Sequence, residues 1–263
     1  MSSETLKHHF LSAIAIASVL LCLLFSILRM IPLANAVGMF FVVIMLLYAI
    51  SNEGIIKGIF FFIIAATFGL FFEIIGVLFG VPFGKYHYNP IEPLLFGLVP
   101  ISVILMWFVV TYTARAVTEI IIPKNVTPNK IHILLVLAFL DALIATSWDI
   151  IMDPVMVNVI GMWTWEEQGI YFGIPLSNYI GWVLVSYLMC LVYRLFGNTN
   201  HKPTLTPIVT YFWLCSSMIT IAACNAHLEY TYIGAPIMTA IMLITILQYQ
   251  KKYLKNKNIT NDN

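Results

Sequence analysis

Residues 140–182 read LDALIATSWDIIMDPVMVNVIGMWTWEEQGIYFGIPLSNYIGW. An apolar segment carries three aspartates, Asp141, Asp149 and Asp153. A tryptophan-rich turn with Glu166 and Glu167 follows, and a second apolar segment then opens on Pro175, Ser177 and Asn178. Each apolar segment approaches the ~20 residues that cross a bilayer as a helix. Carboxyls in such surroundings are rare, and an ionisable residue at membrane depth is a functional-site hypothesis by default. The stretch predicts two membrane-spanning helices and a connection that together hold a polar site.

Composition agrees with a membrane setting. The chain is 61% hydrophobic and 10% charged, with a mean hydropathy of +0.93, against about a quarter charged in ordinary soluble domains. No single soluble core could enclose that much apolar surface, so lipid must surround it. The runs far exceed the ~9–11 residues of a barrel strand. The expected class is therefore an all-α, polytopic transmembrane helical bundle, one domain over 1–263. Eight apolar segments stand out: Phe10–Leu28, Leu33–Ile50, Ile55–Phe79, Leu94–Ala116, Ile131–Ile151, Ile174–Phe196, Pro207–Ala223 and Ile233–Tyr249. Ala34-Asn35-Ala36 resembles a signal-peptide cleavage site. The preceding apolar run is longer than a signal core of ~7–15 residues and Arg29 follows it, so retention as a span is expected. Cys22, Cys190, Cys215 and Cys224 sit in apolar runs without a C-x-x-C pattern and read as buried thiols. No basic patch with interleaved aromatics points to nucleic acid.

Orientation follows from the basic residues. Alternating crossings put Lys7, Lys57, Arg115, Lys124, Lys130, Arg194, Lys202, Lys251, Lys252, Lys255 and Lys257 on one side, and only Arg29 and Lys85 on the other. The positive-inside rule makes the first side cytoplasmic, with both termini there, in a multi-pass protein of the cell membrane. Glu73, Asp149 and Asp153 then fall near the outer surface. The outer connections carry Tyr86, His87, Tyr88, Trp163 and Trp165, while the cytoplasmic links look merely structural.

The acids form a pattern. At about 100° per residue, Asp141 to Asp149 comes to about 80° and Asp149 to Asp153 to about 40°, so all three occupy one face of one helix. Asp153 could equally just end that helix before Pro154. Glu73 lies in Leu-Phe-Phe-Glu-Ile-Ile-Gly; desolvation disfavours a charged carboxylate, so a neutral acid able to donate a proton is expected, or else an interhelical hydrogen bond. Gly76, Gly80 and Gly84 are spaced by four; the first two read as close packing between helices, and Pro82 is expected to end the regular helix before Gly84. The Tyr and Trp residues could form an interfacial belt. Asp149-x-x-x-Asp153 also suggests magnesium-bound diphosphate, but no second acidic cluster with nearby Arg or Lys accompanies it on that side.

Taken together, Glu73-Ile-Ile-Gly76, Phe83-Gly84-Lys85-Tyr86-His87-Tyr88, Trp148-Asp149, Asp153-Pro154, Trp163-x-Trp165 and the run Gly169 to Trp182 resemble the integral-membrane carotenoid biosynthesis proteins. That family includes carotenoid hydratases of the bisanhydrobacterioruberin hydratase and γ-carotene 1′-hydroxylase kind. The likeness covers about 55–196 and is most specific from Gly169 to Trp182. It implies addition of water to the terminal double bond of a linear carotenoid, giving a tertiary alcohol, with no metal and no redox cofactor. It also implies the lipid bilayer, the carotenoid substrate and other carotenoid-pathway enzymes as partners.

The residues suit such chemistry by themselves. Protonating an alkene needs a carboxylic acid held protonated in a dry site. The cation formed needs π-faces, for which Tyr86, Tyr88, Trp148, Trp163 and Trp165 are candidates. The expected roles are Glu73 as proton donor and Asp149 as the group orienting water, with Asp153, His87 and Asn178 positioning. Alternatives are a carotenoid end-group cyclase, which begins with the same protonation, a proton-coupled transporter, and a subunit that binds carotenoid unchanged. The missing inverted repeat weighs against a transporter.

Overall fold

The computed structural model describes residues 3–123, 130–196 and 204–261. Lys124 and Lys202, used in the charge asymmetry, lie outside them, as do the side chains of Lys255 and Lys257. The described residues form eight long helices: α1 (Ser3–Ile27), α2 (Ile31–Glu53), α3 (Ile55–Phe79), α4 (Ile101–Ile121), α5 (Ile131–Val155), α6 (Leu176–Phe196), α7 (Thr206–Cys224) and α8 (Gly234–Asn261). The first seven contain spans long and apolar enough to cross a membrane. In α8 the apolar part runs into Gln248, Gln250, Lys251 and Lys252, so its second half is polar. The chain is a multi-pass helical bundle, with large apolar side chains such as Phe71, Leu78 and Ile180 exposed on its flanks.

Two boundaries differ from the hydropathy reading. The fourth apolar run begins at Leu94, but α4 begins at Ile101. Between them β2 (Leu94–Leu95) turns back on β3 (Val99–Pro100) through Phe96 and Gly97, both at positive φ. Pro100 stands in extended backbone at the helix N-terminus, where its missing N–H does no harm. The other difference concerns Pro154, which does not stop α5 at Asp153. The helix passes through Pro154 to Val155 and relaxes into a π-helical turn over Met156–Ile160. Pro154 cannot donate to the Ile150 carbonyl, and the Tyr171 hydroxyl donates to it instead at 3.2 Å.

α5 is the central helix. It packs most extensively against α6, and also against α4, α7 and α8, while α3 packs on α4 and α6. One end of the bundle is covered by a two-stranded antiparallel ribbon, β1 (Tyr86–Tyr88) on β4 (Trp163–Trp165), with Tyr86 opposite Trp165 and Tyr88 opposite Trp163. Strand alternation sends Tyr86, Tyr88, Trp163 and Trp165 into the bundle and His87 and Thr164 outward.

The other end holds a buried ionic cluster that sequence reasoning missed. The Glu53 carboxylate accepts hydrogen bonds from Arg115 (2.5 Å), Tyr112 (2.8 Å) and Tyr193, and the Arg115 guanidinium lies 4.7 Å from the centre of the Tyr193 ring. Arg194 grips Asp141 through two hydrogen bonds of 2.6 and 2.8 Å and reaches Glu119 at 2.6 Å. Arg115 and Arg194, counted above as link cations, are therefore enclosed within the bundle. Carboxylates on α2, α4 and α5 neutralise them there, so this end does more than connect helices. Asp141, eight residues before Asp149, is committed to Arg194 about 12 Å down the helix and takes no part in the site at the ribbon end.

Candidate active site

Helix register puts the acids at one depth. Glu73 is eighteen residues beyond Ile55, where α3 starts, and Asp149 is eighteen beyond Ile131, where α5 starts. At 1.5 Å per residue each lies about 27 Å along its helix, near the far boundary of a ~30 Å hydrocarbon core. α3 and α5 run in the same direction in an alternating bundle, so the carboxyls come level beneath the ribbon. Glu73 is 5% exposed, Asp149 0% and Asp153 1%.

Their hydrogen-bond settings differ. The Glu73 Oε2 accepts from Tyr86 Oη at 2.5 Å and Tyr88 Oη at 2.7 Å, and its Oε1 accepts from the Trp107 indole N–H at 2.8 Å. Burial, followed by the adjacent Glu73 carboxyl, holds both phenols well above the usual tyrosine range, so they stay protonated and able to donate. Across the site, the one Asn178 amide nitrogen donates to Asp149 Oδ2 at 2.8 Å and to Asp153 Oδ2 at 2.5 Å. The Trp163 indole N–H donates to Asp153 Oδ1 at 2.8 Å. Asp149 Oδ1 is fully enclosed and has no hydrogen-bond partner among the described residues. Both aspartates lie within electrostatic range of Glu73.

Aromatic rings surround the acids. Tyr86 packs on Trp165 at 5.0 Å and on Tyr88 at 5.5 Å, and Tyr88 meets Trp163 at 5.8 Å. Below them Trp107 stacks on Trp182 at 4.0 Å, and Trp148 meets the edge of Trp182 at 6.0 Å. The belt reading of the Tyr and Trp residues is corrected here: Tyr86, Tyr88, Trp163 and Trp165 face the acids rather than lipid. His87 is corrected too. It sits on the outward face of the ribbon between two inward tyrosines, so strand alternation removes it from the site. Trp148 donates to the Leu214 carbonyl at 3.0 Å and touches neither Asp149 nor Glu73 by hydrogen bond. Glu166 is exposed and pairs with Lys85 at 3.3 Å on the rim. Trp107 is a functional candidate that sequence reasoning passed over, and Trp182 entered only as the end of the Gly169–Trp182 likeness; an indole on a helix face carries no sign of a carboxyl on the next helix.

Local backbone chemistry sets these positions. The Gly169–Gly173 turn presents Pro175 and then Asn178 at the start of α6, with Gly173 at positive φ. A Cβ on Gly169 would lie 1.8 Å from the Ile174 carbonyl oxygen, so no other residue fits there. Ser177 Oγ donates to the Phe83 carbonyl at 2.9 Å and ties that turn to the loop before β1. The Gly76, Gly80 and Gly84 series serves this loop and not a helix–helix seam. Gly80 ends α3 in the left-handed region, and a Cβ on Gly76 would meet Phe83 and the Tyr86 hydroxyl at 2.9 Å. Gly76→Ala is accordingly expected to push Tyr86 off Glu73 and lower turnover about ten- to a hundredfold, measured as product per folded protein.

The sequence matches the carotenoid biosynthesis protein family over residues 33–247. The chain belongs to that family. It is also similar to the bisanhydrobacterioruberin hydratase of Haloarcula japonica, 28% identical over 122 residues, which is 46% of this chain and 39% of that protein. The chain thus spans well under half of that relative. No solved structure matches. The chain is thus a member of that family with seven helices long and apolar enough to cross a membrane, and the enclosed acids under the ribbon are its candidate active site. Among the described residues no group of three His, Cys, Asp or Glu side chains is gathered as a metal site.

Proposed function

We propose that the protein is a carotenoid hydratase that adds water across the terminal double bond of a linear carotenoid, with the ribbon end facing the outer surface. The observation carrying this reading is the contrast between the two halves of the site. Among the described residues Glu73 meets three donors and no acceptor, a setting matched to an anion. Asp149 and Asp153 share one amide donor and stand one helical turn apart, a setting in which two enclosed carboxyls do not both ionise and one keeps its proton. The donor role expected of Glu73 therefore passes to the aspartate pair.

In the reaction, the proton on Asp149 moves from Oδ1 to the terminal alkene carbon, and the double bond's electrons form the new C–H bond. The tertiary cation left on the neighbouring carbon lies among the Tyr86, Tyr88, Trp163 and Trp165 rings and feels the Glu73 carboxylate. Water held by Asp149 and Asp153 attacks the cation. The resulting oxonium returns its proton to the pair, restoring the acid. The net change is one water added, and no electrons are exchanged.

The test is expression in a host that accumulates a linear carotenoid with unmodified isoprenoid ends, followed by mass analysis of the pigments. Product heavier by one water per processed end is expected. A ring-closed product of unchanged mass would make the protein a cyclase, and unaltered pigment would end the enzymatic reading.

A further inference from the structure

A groove of about 520 Å³ runs between α5 and α6, open to the flank of the bundle. Phe139, Val183, Leu184 and Tyr187 line its length, and Thr146 and Tyr179 stand at the end nearer the ribbon. Its rims are apolar and exposed, Phe139 at 47% and Leu184 at 42%. From Tyr179 to Tyr187 it follows eight residues of α6, about 12 Å, which takes in the part of a ~30 Å hydrocarbon core next to the acids.

Two enclosed polar atoms stand at that end. Thr146 Oγ1 and Tyr179 Oη are enclosed and have no hydrogen-bond partner among the described residues. Thr146 itself is 7% exposed and lies one turn before Asp149 on α5. Tyr179 follows Asn178, packs edge-on against Tyr171 at 5.8 Å, and is within electrostatic range of both Asp149 and Asp153. The groove thus ends one helical turn from Asp149 on α5 and one residue from Asn178 on α6. A second groove of about 420 Å³ lies on the other flank of α5, bordered by Leu143, Ile150, Ile237 and Ile241. It shares Thr146 but not Tyr179, and its Ser147 hydroxyl is already bonded to Tyr211 at 2.8 Å.

We propose that the α5–α6 groove seats the end of a linear polyene entering sideways from the lipid, with Tyr179 and Thr146 marking where its terminal alkene turns in towards Asp149. The substrate class rests on the hydratase reading above. A conjugated rod suits the groove better than a lipid acyl chain, because it is already extended and loses little conformational freedom on binding. A site that takes only one end also leaves the rest of a long substrate in the membrane.

The test compares the full chain with Val183→Trp, Leu184→Trp and Ile241→Trp, each purified in lipid nanodiscs after expression with lycopene as the probe. Retained pigment per protein is read by absorbance, hydrated product by mass, and folding by thermal unfolding. Filling the groove should cut retained pigment about tenfold or more in both Val183→Trp and Leu184→Trp, with unfolding temperatures near wild type and Ile241→Trp unaffected. Should one of the two fail to fold, the other decides. Wild-type retention by a folded groove variant, loss at Ile241→Trp instead, or a wild-type protein that retains no pigment would overturn the groove assignment. Pigment retained in the groove but never hydrated would leave the groove standing and sink the hydratase reading.

Discussion

Asp149→Asn is expected to abolish hydrated carotenoid, a fall of about 10²–10⁴-fold in turnover, while the protein stays in the membrane at wild-type levels. The substitution keeps the shape and leaves a side-chain oxygen to accept from the Asn178 amide, so Asp153 and the ribbon have no reason to move. What is lost is the proton that Asp149 Oδ1 carries in the reading above. That oxygen is enclosed without a hydrogen-bond partner among the described residues, so no protein group competes for its proton. Glu73→Gln makes the contrasting case. It keeps an acceptor for Trp107 and removes the negative charge facing the cation, so turnover should fall while some hydration persists. Single-turnover assays on both variants separate the roles. Undiminished hydration by Asp149→Asn would remove the donor assignment, and complete loss in Glu73→Gln beside activity in Asp149→Asn would return the donor role to Glu73.

Arg194→Met should destabilise the folded bundle by about 3–5 kcal/mol, the range for removing one partner of an enclosed ion pair. Asp141, at 0% exposure, would be left without its two-pronged partner, and Glu119 would lose a 2.6 Å contact. The double variant Asp141→Leu/Arg194→Met should be less damaged than Arg194→Met alone, because it removes the stranded charge along with its partner. Thermal unfolding in detergent reads both. Equal damage in single and double variants would show that the pair is not coupled. Turnover below the unfolding temperature should be unchanged, since Arg194 lies at the opposite end of the bundle from the aspartate pair.

Much of the fold could be read from hydropathy, because only helices and closed barrels satisfy their backbone groups in lipid, and these apolar runs are too long for barrel strands. The Asp149 and Asp153 pairing was equally legible: residues four apart share a helix face whatever surrounds them. Asn178 was visible as a polar residue opening an apolar run. Its bridging of two carboxyls was not, since that depends on how α6 is set against α5. His87 shows the limit most clearly. A three-residue strand carries too little alternation to reveal which side chain faces in, and its partner strand begins some 75 residues later.

The sequence by itself determined a helical membrane bundle and the shared helix face of Asp149 and Asp153, because hydrophobic length and helical period act locally along the chain. Tertiary structure alone decided which acid meets which donor. Glu73 finds Trp107 across a helix interface, Asp149 and Asp153 find one amide from α6, and Arg194 withdraws Asp141 to the other end. Hydrogen bonds reach about 3 Å, and residues far apart in sequence come that close only once the helices are packed.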